Sequence, residues 1–115
     1  MREQRTGDWQ LHEESAVGRL AQFFPDAAPV CISVTVSRDG GGNAEWENTV
    51  IEFGTPREAL FACRQPLEFA DKLQLRNADG SFEVEAWVVA LQYHKGQSAV
   101  AARFVERIPH WVVKL

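Results

Sequence analysis

The sequence predicts a mainly β protein, a small antiparallel barrel of six strands preceded by one N-terminal amphipathic helix. Three observations predict it. Beyond Pro29, apolar and polar residues alternate with a period of two in one run after another. These runs are separated by clusters of Gly, Pro, Asn and Asp, the residues that supply the backbone angles of turns. A helical period appears only in residues 8–24. A chain of 115 residues closes one hydrophobic core, so the helix with its Pro-rich connector (residues 1–29) and the barrel (residues 30–115) belong to one small unit.

The elements follow in order. Asp8 is the expected N-cap of the helix, and Val17, Leu20, Ala21 and Phe24 fall on one face at the i, i+3, i+4, i+7 spacing before Pro25 ends it. Two prolines stiffen the connector at residues 25–29. In residues 30–36, Val30, Ile32, Val34 and Val36 oppose Cys31, Ser33 and Thr35, the pattern of a half-buried strand. A Gly-rich loop at residues 38–43 leads to a second strand at 46–53, and the two form a hairpin. A turn at 54–58 precedes a short apolar run at 59–63, closed by Pro66. The fourth strand, 72–76, ends in a turn whose Asp79-Gly80 pair suits positive φ.

The longest strand is expected over residues 81–93, with Phe82, Val84, Ala86, Val88 and Ala90 on one face. Its second half is apolar on both faces, so the helix is expected to cover it, with Trp87 underneath. A tight turn at 94–97 returns the chain as a sixth strand at 98–105, and the tail at 109–115 is apolar enough to dock.

Composition narrows the function. The apolar fraction of 45% and charged fraction of 24% are those of a globular domain. A formal net charge of −4 disfavours general nucleic-acid binding, which draws on clustered Lys and Arg. No apolar run approaches the roughly 18 residues of a membrane helix, and the N-terminus opens no signal-peptide segment. A cytoplasmic protein is therefore expected. Cys31 and Cys63, each in an apolar strand-like run, are expected as reduced, buried thiols.

Catalytic signatures fail on spacing. His12-Glu13-Glu14 begins like a zinc-protease helix, but Ala16 stands where the second histidine is needed. Gly40-Gly41-Gly42 lacks the Lys and Ser or Thr of a phosphate loop and leads into a strand. Glu83 and Glu85 share a strand face, with nothing nearby in sequence to separate their pKa values. The expectation is a binding domain without catalytic residues, metal or cofactor. Trp9, Trp46 and Trp111 are candidate contact residues wherever they are exposed, and core or rim packing is their default role.

The stretch from Asn48 to Phe61, followed by Leu67 to Leu75 and then by Glu83 to Leu91 with Val100 to Val105, resembles the PilZ family in the order of its strands and turns. That resemblance implies a six-stranded antiparallel barrel and a place in bacterial cyclic di-GMP-type signalling. The family's ligand motifs are an RxxxR pair before the first strand and a [D/N]xSxxG turn after the second. Here the connector holds no arginine, Phe53 stands at the Asp or Asn position, Thr55 at the Ser and Glu58 at the Gly. Loss of the guanidinium clamp and gain of a carboxylate both weaken the grip on a dianionic nucleotide. The expected function is thus a regulatory module that binds a partner protein, with nucleotide binding weakened or lost. If nucleotide binding is retained, Thr55, Arg57, Arg38 and Arg5 would carry it, Arg57 and Arg38 flanking the pocket. That is the alternative reading, a cyclic di-GMP receptor with a non-standard arginine clamp.

Overall fold

The computed structural model describes residues 15–38, 46–78, 80 and 83–106. Within them one short helix, α1 (Ala16–Ala21), precedes six strands: β1 (Ala28–Arg38), β2 (Glu47–Gly54), β3 (Glu58–Cys63), β4 (Lys72–Asn77), β5 (Glu83–His94) and β6 (Gln97–Phe104). Every neighbouring pair is antiparallel, and the sheet closes into a barrel in the order β1, β2, β3, β6, β5, β4. Mainly β architecture and six-stranded closure are as the alternation predicts.

Alternation places the core. Val34 and Val36 of β1 point inward with Ile51, Phe61, Leu73, Leu75, Val84, Val88 and Val100 to fill the barrel. The β3 and β6 strands are apolar on their second face as well. There Leu60, Ala99 and Ala101 form a separate cluster with Val17 and Leu20 of α1. A helix of six residues does not persist alone in water. Burial holds it, since each buried Val or Leu side chain contributes about 1.5–3 kcal/mol.

Four expectations are corrected. The helix does not run continuously over residues 8–24, because Ser15 is extended (φ −65°, ψ 162°) and caps α1, its Oγ accepting the Gly18 N–H at 2.9 Å. Asp8, the expected cap, lies outside the described residues, as do Trp9, Trp111 and the tail at 109–115. On the long strand, the register against β6 shifts between Val88 and Ala90. That extra residue exchanges the two faces, so Leu91 joins the barrel core while Val89 and Ala90 pack under the helix.

Trp87 does not sit beneath α1. It shares the outer face with Val89 but stands opposite Arg103, beyond the Ala99 and Ala101 positions that α1 covers, and is 41% exposed with the Lys72 ammonium 5.3 Å from its ring centroid. The last correction concerns Cys31, which is exposed on β1 while Cys63 is buried, and both are free thiols. Cys31 lies in the irregular stretch between Pro29 and Ile32, before β1 gains its second neighbour at Val34.

Turn chemistry matches the residues supplied. Lys95 and Gly96 both have positive φ (51° and 85°), the two-residue hairpin turn whose twist suits the flanking strands. Gly80, at φ 75°, closes a turn by donating to the Asn77 carbonyl at 3.1 Å. No described helix is long and apolar enough to cross a membrane.

Among the described residues, Phe61 is the largest fully buried side chain. Phe61→Ala is expected to cost about 3–5 kcal/mol in urea unfolding followed by circular dichroism. A loss below about 1 kcal/mol, the scale of an ordinary surface substitution, would contradict this placement of the core.

Candidate functional site

The turn between β2 and β3 is a closed hydrogen-bonded unit. Thr55 Oγ1 accepts from the backbone N–H groups of Arg57 (2.9 Å) and Glu58 (2.8 Å). It donates in turn to Glu58 Oε1 at 2.6 Å, while the Thr55 N–H donates to the Glu58 carbonyl at 2.9 Å. The local sequence explains this. Thr readily bonds the backbone two and three residues on, and Pro56 fixes the turn between.

Glu58 starts β3 rather than ending a loop, and its carboxylate is buried. The Nε and Nη2 of Arg103 donate to Glu58 Oε2 at 2.8 and 2.7 Å. Arg103 reaches it because Glu58 and Arg103 are direct cross-strand partners on β3 and β6. On its other side Arg103 stands opposite Trp87, which stands opposite Lys72, so one row of charged and aromatic residues crosses four strands.

Beside the turn lies a cleft of about 350 Å³ lined by Phe24, Pro25, Asp26, Thr55, Pro56, Arg57 and Glu58. The connector thus supplies one wall and the turn the other. Arg57 is exposed, and its guanidinium makes no ion pair among the described residues. Its backbone carbonyl accepts from the Phe104 N–H at 2.9 Å, which ties the turn to the end of β6. Among the described residues the charges of the cleft are balanced, Arg103 offsetting Glu58 and Arg57 standing against Asp26.

Of the four expected site residues, Thr55 and Arg57 come together. Arg38 does not join them. The residue that pairs with Gly54 beside the turn is Ala28, at the opposite end of β1 from Arg38. Ten residues of extended strand separate the two, about 33 Å. Arg38 is engaged there with the Asp71 carboxylate (3.3 Å) and the Pro66 carbonyl (3.4 Å). The expectation that Arg38 flanks the pocket is overturned by this strand direction. Arg5 lies outside the described residues.

Arg103 and Asp26 were not singled out by sequence. Glu58 and Arg103 are 45 residues apart, so only the β3–β6 register joins them. Asp26 looks like an ordinary connector residue until the cleft forms. Cation stacking also escapes sequence: the Arg76 guanidinium lies 4.3 Å from the ring centroid of Trp46, which is partly exposed. Glu83 and Glu85 lie on an exposed face as expected, but the fold supplies cations to both, Arg76 at 3.4 Å and Lys72 at 4.0 Å.

Cys63 is chemically quiet. Burial pushes its thiol from 9.0 up to about 12, with the nearby Glu47 carboxylate adding to the rise and a hydrogen bond from the Gln65 backbone opposing it. Glu47 meanwhile accepts from the backbone N–H groups of Arg64 (2.8 Å) and Gln65 (3.2 Å), so this carboxylate caps the end of β3. No three His, Cys, Asp or Glu side chains converge as a metal-binding group among the described residues. The chain matches no family model, and no curated protein matches it.

Two outcomes follow. Glu58→Ala removes the carboxylate that joins the buried Thr55 hydroxyl to Arg103, which is expected to cost about 1–3 kcal/mol in denaturant titration. An unchanged midpoint would contradict the closed turn. For the cysteines, iodoacetamide at pH 8 is expected to label Cys31 and spare Cys63 until the chain unfolds, as read by mass spectrometry. A thiol whose folded pKa exceeds its unfolded value stabilises the fold fully below the unfolded pKa. The Cys63 contribution is therefore present below pH 9.0 and lost as pH rises through about 12.

Proposed function

We propose that this protein is a non-enzymatic PilZ-like regulatory module of bacterial cyclic di-GMP-type signalling, acting in the cytoplasm through contact with a partner protein. In this reading its own nucleotide site is weakened or lost. The barrel and the order of its strands suit the family resemblance. The observation that carries the functional half is the Glu58 carboxylate.

Glu58 occupies the position where the resemblance calls for glycine, and it engages both the Thr55 hydroxyl and the Arg103 guanidinium. The groups available for a phosphate are thereby spent inside the protein. Bidentate capture of a phosphate needs free guanidinium edges, and among the described residues Arg57 alone remains beside the cleft, which Asp26 also lines. A partner protein is the better match to the surface. Trp46 and Trp87 are each partly exposed and each stacked against a cation, an arrangement typical of contact hot spots.

Calorimetric titration with cyclic di-GMP tests the reading. No saturable heat is expected at micromolar ligand. A Kd on the order of 1 μM or tighter, abolished by Arg57→Ala, would establish the receptor with a non-standard clamp instead.

A further inference from the structure

The β4 strand is too short for its neighbours. It covers β5 from Glu83 to Trp87, and backbone bonds from Ala70 N–H to the Val88 carbonyl (2.8 Å) and from Val88 N–H to the Asp71 carbonyl (2.9 Å) end the coverage. Beyond Val88, β5 continues to His94 paired only with β6 among the described residues. From Ala90 onward that pairing is regular, so residues 90–94 form a straight ladder with β6 and, among the described residues, an open edge on the other side.

Natural sheets blunt such edges with charged residues, proline or a bulge. The barrel's other overhang, β1 before Val34, follows that rule with Pro29 and an irregular register from Pro29 to Ile32. In β5 the bulge lies before the overhang, at Val88 to Ala90, and residues 90–94 themselves carry none of these devices. Ala90-Leu91-Gln92-Tyr93-His94 contains no Asp, Glu, Lys, Arg or Pro, and Tyr93 is 75% exposed. An uncharged edge brings no like-charge repulsion to its own copy, even in a chain of net charge −4.

We propose that the chain forms a two-fold dimer by antiparallel pairing of residues 90–94 of β5 with the same segment of a second copy, centred on Gln92. Residues directly opposite in an antiparallel pair lie on one face of the sheet, so the axis must pass through a residue rather than between two. An axis at Leu91 would bring Val88 into the ladder, where Ala70 and Asp71 already occupy its backbone. An axis at Gln92 uses all five open residues and only those. It sets Leu91 opposite the partner's Tyr93 and Ala90 opposite the partner's His94. Two Leu–Tyr pairs then extend the apolar surface begun by Leu91 at the barrel core.

Sedimentation of the purified chain and cysteine crosslinking test the dimer. Gln92 is the one position where an introduced thiol faces itself, with Cβ atoms about 5 Å apart. In a Cys31→Ser background, Gln92→Cys is expected to form a disulfide dimer under mild oxidation, while Gln74→Cys on β4 stays monomeric. Gln92→Lys sets two ammonium groups opposite each other and is expected to weaken the dimer at least about tenfold with an unchanged circular dichroism spectrum. A monomer at concentrations on the order of 100 μM would overturn the proposal. So would a dimer that Gln92→Lys leaves intact and Gln92→Cys crosslinks no faster than Gln74→Cys.

Discussion

The β3 and β6 pair is buried on both faces, and the rest of the structure is arranged around that constraint. On the inner face Phe61, Cys63, Val100 and Ala102 close the barrel, while on the outer face Leu60, Ala99 and Ala101 require a cover. Small outer residues let the cover lie close, and α1 supplies it with Val17 and Leu20. The helix in turn sets where the connector runs, and Phe24, Pro25 and Asp26 become the wall of the cleft beside Thr55. A packing requirement in the middle of the sheet thus determines what faces the candidate site.

The same strand pair fixes the electrostatics of that site. Glu58 and Arg103 are register partners at the end of the doubly buried pair. A carboxylate at this depth is tolerable because a guanidinium and a hydroxyl satisfy it at once. Hydroxyl, carboxylate and guanidinium bond one another, and Arg57 stands beside the cleft. Carboxylates recur in this structural role, with Glu47 gathering the backbone N–H groups after β3 and Asp71 accepting from Glu68 N–H before β4.

Strand lengths govern the remaining surface. With six residues between neighbours of eleven and twelve, β4 leaves overhangs at opposite ends of the barrel. The overhang of β1 is irregular and holds the exposed Cys31, whereas that of β5 is regular and uncharged. Between them the outer face of β4 and β5 sets cations against carboxylates, with Lys72 over the Trp87 ring and Arg76 over the ring of Trp46, which precedes β2.

Much of this was legible in the sequence. Period-two alternation reports which side of a strand meets the core, and turn residues report where strands end, so the six strands, their antiparallel sense and the tight turn at Lys95 and Gly96 follow from local chemistry. That Thr55 and Arg57 share one turn was legible too, because only Pro56 stands between them. What depended on register was not. A single extra residue between Val88 and Ala90 exchanged the faces of Ala90 and Leu91, strand direction carried Arg38 some ten residues from the cleft, and cross-strand placement joined Glu58 to Arg103 across 45 positions. Alternation carries one bit per residue, inward or outward. Which residue stands opposite which is settled only when the whole sheet closes and its two apolar faces are filled together.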